Sequence, residues 1–196
     1  MKRITIGLAS ALVLLLAACV TPVGPVEVTR FHGPDVTLLG KGTIAVEPAP
    51  GADPASLEWQ AYRAAIARQL VTLGYSEVAP GAGAQVAMVA LSRRTIEGQR
   101  SSPVSVGVGG SSGTYGGGLG MGVGLNLSPK PGPQVATDLQ VTIRDRQTNT
   151  TLWEGRASFV VSAKSPLAST SLGAPKMSEA LFQGFPGQSG QTIEVK

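Results

Sequence analysis

The sequence of 196 residues has few of the side chains on which most enzyme chemistry depends, with one cysteine, Cys19, and one histidine, His32. A single cysteine excludes an internal disulfide. Cys19 and His32 together offer too few ligands for zinc or copper, so the sequence predicts neither a metal nor a cofactor. Charged residues make up only 14% of the chain. Removal of Lys2 and Arg3 with a leader would lower the formal charge from +4 to +2, so nucleic acid is not an expected partner.

The polar residues also form no catalytic motif. Serines are frequent, but G-x-G-x-x-G and P-loop spacings are missing, and the G-x-S-x-G match at residues 109–113 lies in a glycine-rich stretch, not at a nucleophile elbow between a strand and a helix. Three scattered carboxylates are expected on the solvent side of a hairpin: Asp138, Asp145 and Glu154. The densest basic group lacks interleaved aromatic residues and is expected to be solvated surface: Arg93, Arg94 and Arg100. The sequence therefore predicts a protein that is not an enzyme and has no catalytic residues.

The N-terminus has the organisation of an export signal. Residues 1–3 are followed by the apolar run 4–18, in which only Thr5 and Ser10 are polar. This run of 15 residues is shorter than the roughly 20 that a transmembrane helix requires. We therefore predict a signal peptide over residues 1–18, cleaved between Ala18 and Cys19.

Residues 16–19, with the sequence Leu-Ala-Ala-Cys, resemble the lipobox of bacterial lipoproteins. The resemblance implies that the Cys19 thiol carries a diacylglyceryl thioether, with further acyl chains such as palmitate, and becomes the mature N-terminus. The alternative is an ordinary signal peptide whose first mature residue is a cysteine. Val20 is not the aspartate associated with inner-membrane retention, so we expect an outer-membrane lipoprotein that faces the periplasm.

The mature chain is long enough for one domain that buries roughly 70% of its unfolded surface. Residues 19–34 contain three prolines and little periodicity, and we predict a lipidated tether there. The tether would include His32, which is expected to be solvated. Residues 35–196 are then predicted to form a single periplasmic domain.

Hydrophobic spacing predicts the elements of that domain. A strand is expected over 42–47, followed by a helix that Asp53 caps and Gly74 ends. The apolar stripe of this helix comprises Trp59, Tyr62, Ile66, Leu70 and Leu73. Further strands are expected over 75–78 and 84–92.

The clearest β pattern lies between residues 135 and 161. Alternation around the turn 145–150 predicts a hairpin with these inward positions: Val135, Thr137, Leu139, Val141, Ile143, Trp153, Gly155, Ala157, Phe159 and Val161. A short helix over 177–183 would add Phe182 and Phe185 to the core. The predicted class is α+β, with a small antiparallel or mixed sheet and one long and one short helix on one face.

Residues 98–133 form a glycine-rich insertion in this pattern. Its glycines do not have the spacing of a phosphate-binding loop. Small residues recur every four positions, as in close-packed membrane helices, but flanking prolines and serines argue against a helix. Apolar residues alternate with glycine on either side of a central turn, so we favour a flexible loop or a marginal hairpin.

Four of these features resemble the bacterial lipoproteins of the domain of unknown function 4136 family. They are the lipobox, the helix that leads through Leu73-Gly74-Tyr75 into AQVAMVAL, the hairpin DLQVTIRDRQTNTTLWEGRA and the closing ALFQGFPG. The resemblance implies an α/β domain held at the cell envelope. It implies no activity and supplies no catalytic residues.

Two hypotheses about function follow. The first is a lipid-anchored, non-enzymatic module that binds another envelope protein or component. The alternative is a binder of a small apolar ligand or lipid in a cleft between helix and sheet, where Trp59, Tyr62 and Trp153 are available, although core packing accounts for the same aromatics. The sequence does not specify the ligand-binding residues or the oligomeric state.

Overall fold

A computed structural model describes residues 23–97, 104–111, 118–125 and 132–196. The predicted signal peptide, Ala18 and Cys19 lie outside these residues. The strands are β1 (Val26–His32), β2 (Thr43–Pro48), β3 (Ser76–Glu77), β4 (Gln85–Ile96), β5 (Val104–Ser111), β6 (Gly118–Leu125), β7 (Gln134–Asp145), β8 (Thr151–Ser162) and β9 (Thr192–Val195). The helices are α1 (Leu57–Thr72) and α2 (Thr170–Phe182), and a 3-10 turn, Pro166–Ala168, precedes α2.

Seven strands form one mixed sheet in the order β3-β2-β4-β7-β8-β1-β9. Strand β2 pairs in parallel with β3 and β4, whereas every other neighbouring pair is antiparallel. The α+β class is confirmed. The sheet is larger than predicted because β1 and β9, at the two ends of the folded chain, join it beside β8.

Strand β1 corrects the predicted domain boundary. Residues 26–32 are not part of a tether, because they pair with β8 on one side and β9 on the other. Val26 and Val28 are fully buried. Valine alternates with Glu27 and Thr29 in VEVTRFH, which is a strand signal that the neighbouring prolines obscure.

The two faces of the sheet have different surroundings. The covered face packs against α1 and α2 and contains the core cluster, including Ile44, Val89, Leu139, Trp153 and Phe159. All predicted inward positions of the β7–β8 hairpin lie on this face, as the register shows. The alternate residues of these strands lie on the opposite face, which we call the open face.

Both helices begin elsewhere than predicted. Ser56, not Asp53, caps α1, since its Oγ accepts from the N–H of Trp59 at 3.5 Å. Helix α2 starts seven residues earlier than expected and contains Gly173 and Pro175, which usually interrupt helices. Gly173 is buried, and a Cβ there would lie 2.9 Å from the Leu167 carbonyl oxygen, so close tertiary packing selects glycine at this position.

The hairpin expected in the glycine-rich insertion is present as β5 and β6, which pair with each other as a separate two-stranded sheet. The register sorts its residue types in every pair but one, Gly110–Leu119. Apolar residues face each other in Val104–Leu125, Val106–Val123 and Val108–Met121 pairs. The intervening pairs contain only glycine and serine: Ser105–Gly124, Gly107–Gly122, Gly109–Gly120 and Ser111–Gly118.

Candidate functional site

A shallow concavity lies across the open face, where it crosses β4, β7 and β8. Its volume is about 290 Å³. The register aligns two rows of residues in it: Ala90, Gln140 and Arg156, then Ser92, Asp138 and Ser158. We call this the open-face trough. Its lining combines the small side chains of Ala90, Ser92 and Ser158 with the longer ones of Gln140 and Arg156.

The charged groups around the open-face trough are paired with one another. Asp138 accepts from Arg94 at 2.7 Å and from the Ser158 hydroxyl at 2.8 Å. Glu154 accepts from Gln140 at 3.1 Å and from Arg156 at 2.7 Å. The trough therefore offers fixed hydrogen-bonding groups of both charges around an apolar centre.

The trough places one hydroxyl beside a carboxylate, Ser158 beside Asp138, and Arg94 holds the other oxygen of that carboxylate. Its hydroxyls, Ser92 and Ser158, have no histidine near them, because His32 lies at the end of β1 with its ring nitrogens 2.7 Å from the Gly33 oxygen and 3.2 Å from the Gly187 oxygen. Among the residues that the structure describes, no group of three or more His, Cys, Asp and Glu side chains could hold a metal ion. The trough suits binding through surface complementarity.

The arginines predicted to form a solvated basic surface differ in their contacts. Arg94 is exposed and pairs with Asp138. Arg93 is instead partly buried, and it contacts Glu58 and donates to the Thr170 hydroxyl at 2.9 Å and the Ala168 oxygen at 2.5 Å. It therefore joins β4 to the start of both helices, contrary to the prediction. Arg100 lies outside the described residues.

The aromatics considered for an apolar ligand site are buried between helices and sheet. Trp59, Tyr62 and Trp153 are at most 7% exposed. Burial raises the pKa of the Tyr62 phenol, whose hydroxyl contacts the Met177 sulfur at 3.7 Å. None of the three aromatics borders the open-face trough. Tyr62 and Trp153 belong to the core cluster, whereas the Trp59 indole N–H is buried without a hydrogen-bond partner.

Trp153 is the centre of an aromatic cluster that joins the hairpin to the C-terminal segment. Its ring stacks on Phe182 with centroids 5.3 Å apart and meets Phe185 at 5.2 Å. Its indole N–H donates to the Pro186 oxygen at 2.9 Å. The indole also lies over Gly155, where a Cβ would overlap the ring. The motifs LWEG and ALFQGFPG are thus packed together in the core.

A buried arginine completes this packing. Arg30 is 5% exposed and donates to the carbonyls of Leu181 at 2.9 Å and Ala180 at 3.1 Å. These carbonyls lie at the C-terminus of α2, whose last turn has no basic residue of its own. A cation there is favoured by the helix dipole. Burial lowers the pKa of the Arg30 guanidinium by desolvation.

One carboxylate outside the trough ties two loops to the open face. Glu47 at the end of β2 accepts from the Gly81 N–H at 2.8 Å and from Arg146 at 2.6 Å. Burial raises the pKa of Glu47, but the bonds from Gly81 and Arg146 outweigh it, and the net pKa is lowered. This shift has a structural origin and does not point to catalysis.

The chain belongs to the family described as "Domain of unknown function (DUF4136)", whose model matches residues 43–187. The predicted resemblance is confirmed. The match covers α1, the β7–β8 hairpin and the Trp153 cluster. A comparison with curated proteins found no match.

A comparison with solved structures found matches at low sequence identity. A PDZ domain protein from Parabacteroides distasonis has 10% identity and a TM-score of 0.49, with 88% of this chain and 39% of that chain covered. This chain therefore spans about two fifths of that protein. Two structures of the PelC dodecamer from Paraburkholderia phytofirmans have 13% and 12% identity, with TM-scores of 0.46 and 0.47. They cover 85% and 84% of this chain and 99% of each PelC chain.

Among the helices of the part of the chain that the structure describes, none has the length and hydropathy needed to cross a membrane.

Proposed function

We propose that the protein is a lipid-anchored envelope protein that binds another envelope protein through the open face of its sheet. The observation that supports the binding surface is the open-face trough, a concavity that crosses three adjacent strands beside the small residues Ala90, Ser92 and Ser158. Helices cover one face of the sheet, and the core lies there, so the open face is available without disturbing the fold.

The chemistry of the trough indicates the kind of partner. Asp138, Gln140 and Arg156 present donors and acceptors around Ala90, and Arg156 also lies 5.9 Å from the Phe31 ring centroid. An interface of this composition suits a protein surface with a small apolar centre and a polar rim. A volume of about 290 Å³ is at the lower limit for a small-molecule pocket, and the trough is open to solvent.

The lipid anchor is tested by replacing its acceptor. Cys19→Ser removes the thiol that would form the thioether, so we expect the protein to leave the membrane fraction or to remain unprocessed. Metabolic labelling with a palmitate analogue should mark the unaltered protein and not the variant. If fractionation and labelling are the same in both, the protein is not held by lipid on Cys19.

The binding surface is tested by photo-crosslinking in living cells. A photoreactive residue at Ala90, in the trough, should give a discrete adduct with an envelope protein. The same residue at Gln60, which is exposed on α1, is the matched control and should not give that adduct. Arg156→Glu in the Ala90 variant should abolish the adduct by reversing a charge beside the trough. An adduct that forms equally from Gln60, or that persists with Arg156→Glu, would contradict a specific open-face interface.

A further inference from the structure

The glycine-rich insertion and the N-terminal segment leave the sheet at the same end. Strand β4 ends at Ile96, which pairs with Gln134 at the start of β7. Gln134 pairs in turn with Ser162 at the end of β8. The N-terminal segment approaches this place as well, since a Cβ on Gly24 would lie 3.9 Å from the Val160 oxygen. We call this end of the sheet the insertion end.

If Cys19 carries lipid, the insertion end must lie close to the bilayer. Three residues, 20–22, separate Cys19 from Val23, the first residue that the structure describes. Even fully extended, the four steps from Cys19 to Val23 span about 14 Å. Because β1 begins at Val26, the folded domain has no long tether that would hold it away from the membrane.

Exposed apolar side chains are concentrated at the same end. Nine large hydrophobic residues are exposed in the described part of the chain, and five of them lie at or near the insertion end: Val23, Leu57, Ile96, Val160 and Leu172. Leu57 and Leu172 are placed there by Arg93, which contacts Glu58 and Thr170 beside them. Leu57 is 82% exposed although it begins a helix. A surface of this composition usually has a partner.

The β5–β6 hairpin places further apolar positions within reach of the insertion end. Its strands are joined to β4 and β7 by residues 97–103 and 126–133, which span at most about 28 Å. Apart from Gly110, which is opposite Leu119, the register separates valine, leucine and methionine positions from glycine and serine positions. A two-stranded hairpin is marginally stable in water unless one side of it is covered.

We propose that the insertion end rests on the lipid surface, with its exposed apolar side chains and the apolar positions of the hairpin directed to the interfacial region of the bilayer. This inference depends on the proposed lipid anchor at Cys19, which brings the bilayer to this end. Interfacial attachment is strengthened when buried apolar area is added to a lipid anchor. The open-face trough would then stand roughly upright on the membrane, accessible to a partner in the periplasm.

The test uses the full, membrane-processed chain, in which the Cys19 thiol is consumed by the thioether. One introduced cysteine is then the only reactive thiol. Leu57→Cys and Val71→Cys are a matched pair, because both are exposed positions of α1, at opposite ends about 21 Å apart. Each is labelled with an environment-sensitive fluorophore and placed in phosphatidylethanolamine and phosphatidylglycerol vesicles that contain a nitroxide-labelled phospholipid.

We expect the label at Leu57 to lose fluorescence when the nitroxide lipid is present and the label at Val71 to be unchanged. Val160→Cys repeats the test on β8, and Val106→Cys against Gly107→Cys tests the two register classes of the hairpin. Equal quenching at Leu57 and Val71, or no quenching at Leu57 and Val160, would overturn the inference.

Experiments on the unaltered protein separate a wrong lipid anchor from a wrong orientation. If it reacts with a thiol reagent at Cys19, the proposed lipid anchor is wrong. If it does not react and remains with the membrane while the Leu57 label is insensitive to the nitroxide lipid, the anchor stands and only the orientation is wrong.

Discussion

The covered and open faces of the same sheet differ in how their residues are held. On the covered face, large side chains such as Trp153 and Ile143 are fully buried against the helices and one another. On the open face, Asp138, Glu154 and Arg156 are held by pairwise polar contacts that remain near solvent. Stability is therefore concentrated on the covered face, so the open face can change its surface chemistry with little effect on the fold.

The largest effect is expected from Trp153→Ala on the covered face. It removes a fully buried ring that contacts Phe182 and Phe185, and we expect the free energy of unfolding to fall by about 3–5 kcal/mol. Chemical denaturation with circular dichroism measures this change. Trp153→Phe is the conservative control and should recover part of the loss. A loss below about 1 kcal/mol for the alanine variant would contradict the division between the two faces.

The next effect is expected at Arg30. In Arg30→Met, the Leu181 and Ala180 carbonyls lose their charged donor, and we expect a loss of about 2–3 kcal/mol in unfolding free energy. Lysine offers one point charge instead of a planar donor group, so Arg30→Lys should recover only part of it. Thermal unfolding of the three proteins gives the order. Equal stability of Arg30→Met and the unaltered protein would show that these bonds contribute nothing.

A smaller, pH-dependent effect is expected from Glu47. Because the folded-state pKa of Glu47 is lowered, its stabilisation is present above the unfolded pKa of about 4.3 and is lost as the pH falls through the folded value. Glu47→Gln should therefore lower the free energy of unfolding by at most about 1 kcal/mol at neutral pH. The difference in unfolding free energy from the unaltered protein should shrink in acid. Urea denaturation at several pH values measures it.

The matched control for Glu47 is Glu27→Gln, which changes an exposed carboxylate on β1 and should leave the unfolding free energy at neutral pH unchanged. A gap between Glu47→Gln and the unaltered protein that widens in acid would contradict the expected sign.

The smallest effect is expected in the open-face trough. Ser158→Ala removes one hydroxyl bond to Asp138, and Arg156→Ala removes an exposed ion pair with Glu154. We expect each to change the unfolding free energy by about 0.5 kcal/mol or less, since exposed pairs contribute little. Differential scanning calorimetry measures this. If either variant costs as much as Arg30→Met, the open face belongs to the stabilising part of the fold.

The local pattern of the sequence predicted the central elements well. The apolar stripe of α1 and the inward positions of the β7–β8 hairpin are confirmed because their burial follows directly from periods of about 3.6 and 2 residues. The pattern missed β1 and β9, because a strand at either end of the chain is stabilised by pairing partners far away in sequence. It also missed the open-face trough, which depends on residues aligned across three strands.

What the sequence by itself determined is thus the sorting of residues into apolar and polar positions, including the alternation of glycine with valine in the insertion, and the family to which the chain belongs. Only the tertiary structure decided that Arg30 caps α2, that Arg93 joins the starts of both helices, and that the insertion and the N-terminal segment leave the same end of the sheet. These are contacts between residues as many as 151 positions apart. Periodicity predicts which side of a segment faces the core. It does not predict which segments pack together, because that depends on the order of the strands in the sheet.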